Sequence, residues 1–124
     1  MELLGYILFY IYGKDSFIEA SFYAMVCGVV IGWIAVLFGI FDLTLIPSDK
    51  SDAIKKALIH GGINTSVLMV YTVLAYAAWK SYPRLPDAKL SLLITKSVLV
   101  MFLVVGNFLG GSLVLKDKIG TEYD

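Results

Sequence analysis

The chain has one cysteine, one histidine and three prolines, and only 16% of its residues are charged. Each shortage excludes a class of structure or function. Cys27 stands alone, so no intrachain disulfide can form; inside an apolar run it reads as a small filler. Neither CxxC, HExxH, a phosphate loop nor GxSxG occurs. No serine has a candidate base other than His60. These absences argue against an enzyme. Ten basic residues balance ten acidic ones, which leaves no excess for a basic face, so no nucleic-acid partner is expected. The opening "MELLGYILFYIYGKDS" has neither a basic start nor a small-residue cleavage site, and it does not read as a signal peptide.

What the chain does have is uninterrupted apolar length. Phe22 to Phe41, Ala57 to Trp79 and Ser97 to Leu115 contain no Asp, Glu, Lys or Arg. Each approaches the ~20 residues that a helix needs to cross a bilayer core. A soluble domain carries about a quarter charged residues, and three such runs in so short a chain leave too little polar surface for one. The runs show no alternation and exceed strand length, which excludes a β-barrel reading. The expected fold is all-α: a polytopic transmembrane helical bundle, one domain over residues 1–124, with three full-length helices plus a short N-terminal apolar helix.

The boundaries follow from the polar breaks. Leu3 to Gly13 is apolar but about half of a span; it is an incomplete span, an interfacial helix, or a helix whose first turns lie upstream. "KDS" makes a turn. A second helix is expected from about Phe17 to Ile46, stopped by Pro47. "PSDKSD" is a loop in which Asp49 or Asp52 can cap a third helix, from about Asp52 to Tyr82. "YPRLPD" is a loop in which Asp87 can cap a fourth helix, from about Ala88 to Lys116. "KIGTEYD" reads as a loose polar tail. Short loops make consecutive helices antiparallel neighbours. Orientation is not readable, because five basic residues fall on each side.

On the second helix Ser21, Ala24, Gly28, Gly32, Ala35 and Gly39 form a small-residue stripe that continues to Asp42. Lipid gives membrane helices no hydrophobic drive to associate, and small residues let their backbones approach instead. The stripe is therefore expected to pack against a helix. On the third helix His60 and Asn64 lie one turn apart. The fourth carries Gly106 and Gly110 as a second GxxxG, with Asn107 and Gly111 adjoining. Trp33 sits mid-span and reads as packing. Polar groups within a span normally face the bundle interior. Counting ~1.5 Å of rise per residue brings Asp42, His60, Asn64 and Asn107 to neighbouring depths on the side of Lys50 and the tail. They are expected to form one polar cluster. Within it His60 is a helix clamp, a ligand of haem b or partner of quinone, or part of a proton path. A membrane haem usually needs two axial ligands, so a partner subunit, a second copy or Met101 would have to supply the second.

"FGIFDLTLIP", a short polar loop, "ALIHGGIN" and then "GNFLGGSLVLKDKIG" together resemble a family of small prokaryotic membrane proteins of unknown function, DUF2231. The resemblance runs from about Ser21 to Gly120. It is carried by Gly39, Asp42, His60, Asn64, Gly110, Gly111, Leu113 and Val114. It implies a four-helical fold in the prokaryotic inner (cytoplasmic) membrane. Some relatives are fused to Rieske or cytochrome c-like domains, which implies a setting of respiratory or photosynthetic electron transfer. The His-Pro segment that often opens the family's first helix has no match here, and any site that uses that histidine is missing.

Three readings follow. The first is a non-catalytic integral membrane subunit of a larger electron-transfer assembly, held to other membrane subunits or to itself. The second is a haem b- or quinone-binding redox protein using His60. The third is a small proton-coupled transporter.

Overall fold

The computed structural model describes residues 1–85, 87 and 89–116. The described residues form four helices: α1 (Glu2–Tyr12), α2 (Asp15–Thr44), α3 (Ser51–Ser81) and α4 (Leu90–Leu115). The last three are long and apolar enough to cross a membrane. The short apolar first helix is present too, one residue earlier than expected. The tail expected after Lys116 lies outside the described residues.

The breaks have local causes. α1 ends because Gly13 adopts a left-handed backbone (φ 63°), and its N–H closes onto Phe9 O at 2.8 Å. Only Gly13 and Lys14 separate α1 from α2, so the two helices run antiparallel. α2 tightens at its end, where Leu45 N donates to Asp42 O at 3.0 Å, and Pro47 follows with no N–H to continue the helix. The expected caps do not form. Lys50 and Lys89 occupy the N-cap positions of α3 and α4, with no side-chain cap bond at either. Asp52 sits inside the first turn of α3. There it complements the positive end of the helix dipole, as an acidic residue in a first turn does. Asp87 lies two residues before the N-cap of α4.

The outer surface is apolar. Ile31, Leu37, Phe38 and Val73 are each two-thirds exposed. Contiguous apolar surface on this scale needs lipid or a partner protein against it. Ala53 and Leu113 are buried singly at one end of the bundle, and the largest buried cluster lies at the other, which carries the α1–α2 and α3–α4 turns. There Phe22, Met25 and Ala75 are buried among Val29, Tyr71 and Leu74. Phe22 stacks on Tyr82 with centroids 5.5 Å apart, and Tyr23 and Tyr82 share a hydroxyl hydrogen bond of 3.0 Å. Aromatic residues with one polar end suit a membrane–water boundary.

The helices form a ring in which α1 touches α2, α2 touches α3, α3 touches α4 and α4 touches α1. α2 and α4 do not meet. The ring is complete only at one end. α1 has 11 residues, or roughly 16 Å of rise, against 30 residues and roughly 45 Å for α2. Where α1 does not reach, the space between α2 and α4 opens sideways.

Candidate functional site

That space is a cleft of about 1950 Å³. Its walls are the small-residue face of α2, one face of α3 and the inner face of α4; Met1, Glu2 and Leu3 form its floor. Asp42, His60, Asn64 and Asn107 all line it, so three helices bring the four expected polar residues to one space. They do not all bond to each other.

The bonded set joins α3 to α4. His60 Nδ1 lies 2.6 Å from Gly106 O. A carbonyl only accepts, so Nδ1 carries the proton and donates. The neutral ring then presents Nε2 as an acceptor, and Asn64 Nδ2 donates to it at 3.4 Å. Asn64 Oδ1 is buried against Gly106 without a partner. Asp42 and Asn107 are exposed in the cleft and bond to neither His60 nor Asn64. The expected four-membered cluster is thus a pair closed on a backbone carbonyl. The four residues line one cleft, but Asn107 is one position past Gly106 on α4, a step of about 100° around the helix.

The glycines divide into two groups. A Cβ on Gly110 would stand 2.6 Å from His60 Cε1, and one on Gly106 would strike Asn64 Oδ1. These two glycines let α3 lie close on α4, as the GxxxG spacing implies. Gly32 meets Leu68, whose Cδ1 lies 2.7 Å from the position of a Cβ. Gly28, Gly39 and Gly111 have nothing within 4 Å. Among the described residues the stripe, expected to pack against a helix, is in close contact at Gly32 and at buried Ser21. Its remaining length faces the cleft. Cys27 is exposed on the outer face, not a core filler. Trp33 donates from Nε1 to Thr72 Oγ1 at 3.0 Å and ties α2 to α3.

Sequence reasoning missed the floor. Glu2 and Lys96 form an ion pair with only 12% and 6% of their side chains exposed. Ser21 Oγ donates to Glu2 Oε1 at 3.3 Å, while Glu2 Oε2 is buried without a partner. The Lys96 ammonium also lies 3.9 Å from the centroid of the Tyr6 ring. The Tyr6 hydroxyl accepts from Lys89 N at 2.9 Å and faces Lys89 O at 3.4 Å. These contacts fix the short α1 between α2 and α4. A signal for Lys96 was present: it shares a 3–4 spaced face with Leu99, Leu103, Gly106, Gly110 and Leu113, of which Leu99, Gly106 and Leu113 are buried as it is. Glu2 gave no such signal, because its depth depends on where α1 inserts.

Among the described residues no group of three or more His, Cys, Asp or Glu side chains converges as a metal site. A family model described as "Predicted membrane protein (DUF2231)" matches residues 1–123, and so takes in α1 as well as the three long helices. No curated protein and no solved structure matches.

Proposed function

We propose, from the premise that the chain belongs to the DUF2231 family of predicted membrane proteins, that it is a non-catalytic membrane subunit whose cleft receives a helix of a larger membrane assembly. The observation that carries this reading is the cleft between α2 and α4, whose α2 wall includes Gly28 and Gly39 with no atom within 4 Å of a Cβ at either. A helix seated there would lie between α2 and α4, which do not meet. The small residues on the α2 wall suit close helix approach, and lipid chains gain nothing from them. The resemblance to a family some of whose members are fused to Rieske or cytochrome c-like domains favours an assembly of electron transfer, respiratory or photosynthetic.

The test uses Gly39→Trp. No atom lies within 4 Å of a Cβ at Gly39, so the indole enters the cleft without disturbing the chain's own packing. The parent, purified in mild detergent, is expected as a complex of fixed mass, and the variant as the isolated chain with unchanged melting. An identical complex from both sinks the proposal.

A second reading rests on His60. Its Nδ1 donates to a carbonyl, the arrangement that presents Nε2 of a histidine to a metal. The residues around it fit haem poorly. Nε2 already faces the Asn64 amide, the ring rests against Gly110, and no second ligand joins the set. A quinone carbonyl only accepts, so in this site it would take its hydrogen bond from Asn64 Nδ2 and not from the unprotonated Nε2 of His60. A Soret band in the purified protein that is lost in His60→Ala decides for haem.

A further inference from the structure

α2 brings one carboxylate to the cleft. Asp42 lies five residues before Pro47, where the apolar stretch of α2 ends, so it sits roughly 7 Å inside that end. It lines the cleft with Gly39, Leu43 and Ile46 and is exposed. Among the described residues no cation pairs with it. Lys55 pairs with Asp52 at 3.9 Å, Lys50 and Lys56 hold contacts of their own, and Lys96 is buried against Glu2 at the other end. His60 and Asn64 bond to each other and to Gly106 O, and neither reaches the carboxylate. Across the cleft on α4, Asn107 is exposed as well, and its side chain makes no hydrogen bond among the described residues. Ionisable groups at membrane depth pair with each other or face water. A helix seated between α2 and α4 takes the water from Asp42, and a carboxylate stripped of water needs a cation beside it.

Resting on the helix-slot reading above, we infer that the occupant is an apolar helix of a partner protein that carries a lysine or arginine, and that this residue pairs with Asp42. The basic residue stands near the end of the partner helix that lies beside the α2–α3 loop. A helix of alanine and leucine alone would bury the carboxylate unpaired, and an acidic residue would set a like charge against it. Counted back from Thr44 and Leu115, the ends of α2 and α4, Asp42 lies two residues deep and Asn107 eight. The difference of six residues is roughly 9 Å of rise. An amide or hydroxyl opposite Asn107 therefore lies between one and two turns deeper in the partner than its basic residue. One cation near the tip and one hydrogen-bonding side chain below it define the partner segment.

The experiment uses the full chain in phosphatidylcholine vesicles, with a donor fluorophore on Cys27, which is exposed on the outer face. The probes are synthetic Ala/Leu helices of about 22 residues, long enough to span. Each carries an acceptor dye at one end and, one turn in from the other end, a lysine, a methionine or a glutamate. Energy transfer that excess unlabelled peptide competes away measures binding. The lysine peptide is expected to bind about tenfold more tightly than the methionine peptide. Asp42→Asn is expected to abolish that preference, and Asp42→Lys to transfer it to the glutamate peptide, which shows that the variant chain still folds and binds. Equal affinity of the lysine and methionine peptides for the parent, or a lysine preference that survives in Asp42→Asn, overturns this inference and leaves the slot reading standing. Competable binding of none of the three peptides overturns the slot reading, and this inference with it.

Discussion

Lys96→Met should be among the most damaging single substitutions in this chain. Methionine fills much of the space of the lysine stem, so packing changes little. What remains is the Glu2 carboxylate, with 12% of its side chain exposed, one bond from Ser21 Oγ and no donor on Oε2. Breaking a buried pair by removing one partner costs about 3–5 kcal/mol, most of it the penalty of an uncompensated charge. Loss of the ammonium over the Tyr6 ring adds to it by about 0.5–2 kcal/mol. Replacing both partners at once, with Glu2→Gln and Lys96→Met, leaves no charge to strand. That double variant should fall within about 1 kcal/mol of the parent or exceed it. The assay is unfolding in mixed micelles against rising SDS, followed by far-UV circular dichroism. A single variant that loses less than about 1 kcal/mol, far below the range for a broken buried pair, would refute the reasoning. So would a double variant that loses as much as its two single changes added together.

Gly110→Ala should cost about 1–3 kcal/mol in the same assay, because its Cβ meets the His60 ring at 2.6 Å, whereas Gly111→Ala should cost nothing and gain up to about 1 kcal/mol of helix propensity. Equal effects at the two positions would show that α3 and α4 do not approach as described. His60→Leu should cost about 1–3 kcal/mol by leaving the Asn64 amide without its acceptor, while Gly106 O keeps its bond within α4. Its loss and that of Asn64→Leu should sum to more than the loss of the double variant, since bonded residues couple. Strict additivity would separate them.

The three long helices were legible because a charge-free run as long as a bilayer core is wide suits a spanning helix and little else. The end of α2 was legible from Pro47, and the His60–Asn64 pairing from their spacing of four. The role of Gly106 and Gly110 followed from the GxxxG spacing. The small residues of α2 were legible as a contact surface, but a residue pattern does not say whose helix it contacts. Among the described residues its close contacts are at Gly32 and Ser21. The caps failed because Asp49, Asp52 and Asp87 each stand one to two residues from the cap position, and boundaries are the part of a helix that residue pattern defines least. Glu2 and Lys96 are 94 positions apart. No local pattern joins them; only the insertion depth of α1, itself a product of packing, brings them together.

What fills the cleft between α2 and α4 decides the role of this protein. The most direct measurement is cross-linking in the native membrane from Gly39→Cys in a Cys27→Ser background, with Phe38→Cys as control. Gly39 lines the cleft, while Phe38 is 66% exposed on the outer face. A maleimide-linked benzophenone on Gly39→Cys should, on irradiation, insert into a C–H bond of one apolar helical segment of a single partner, identified by mass spectrometry, and should give no such product from Phe38→Cys. If both positions react freely with a lipid-soluble maleimide and neither yields a protein adduct, the cleft is filled by lipid and no partner helix occupies the slot.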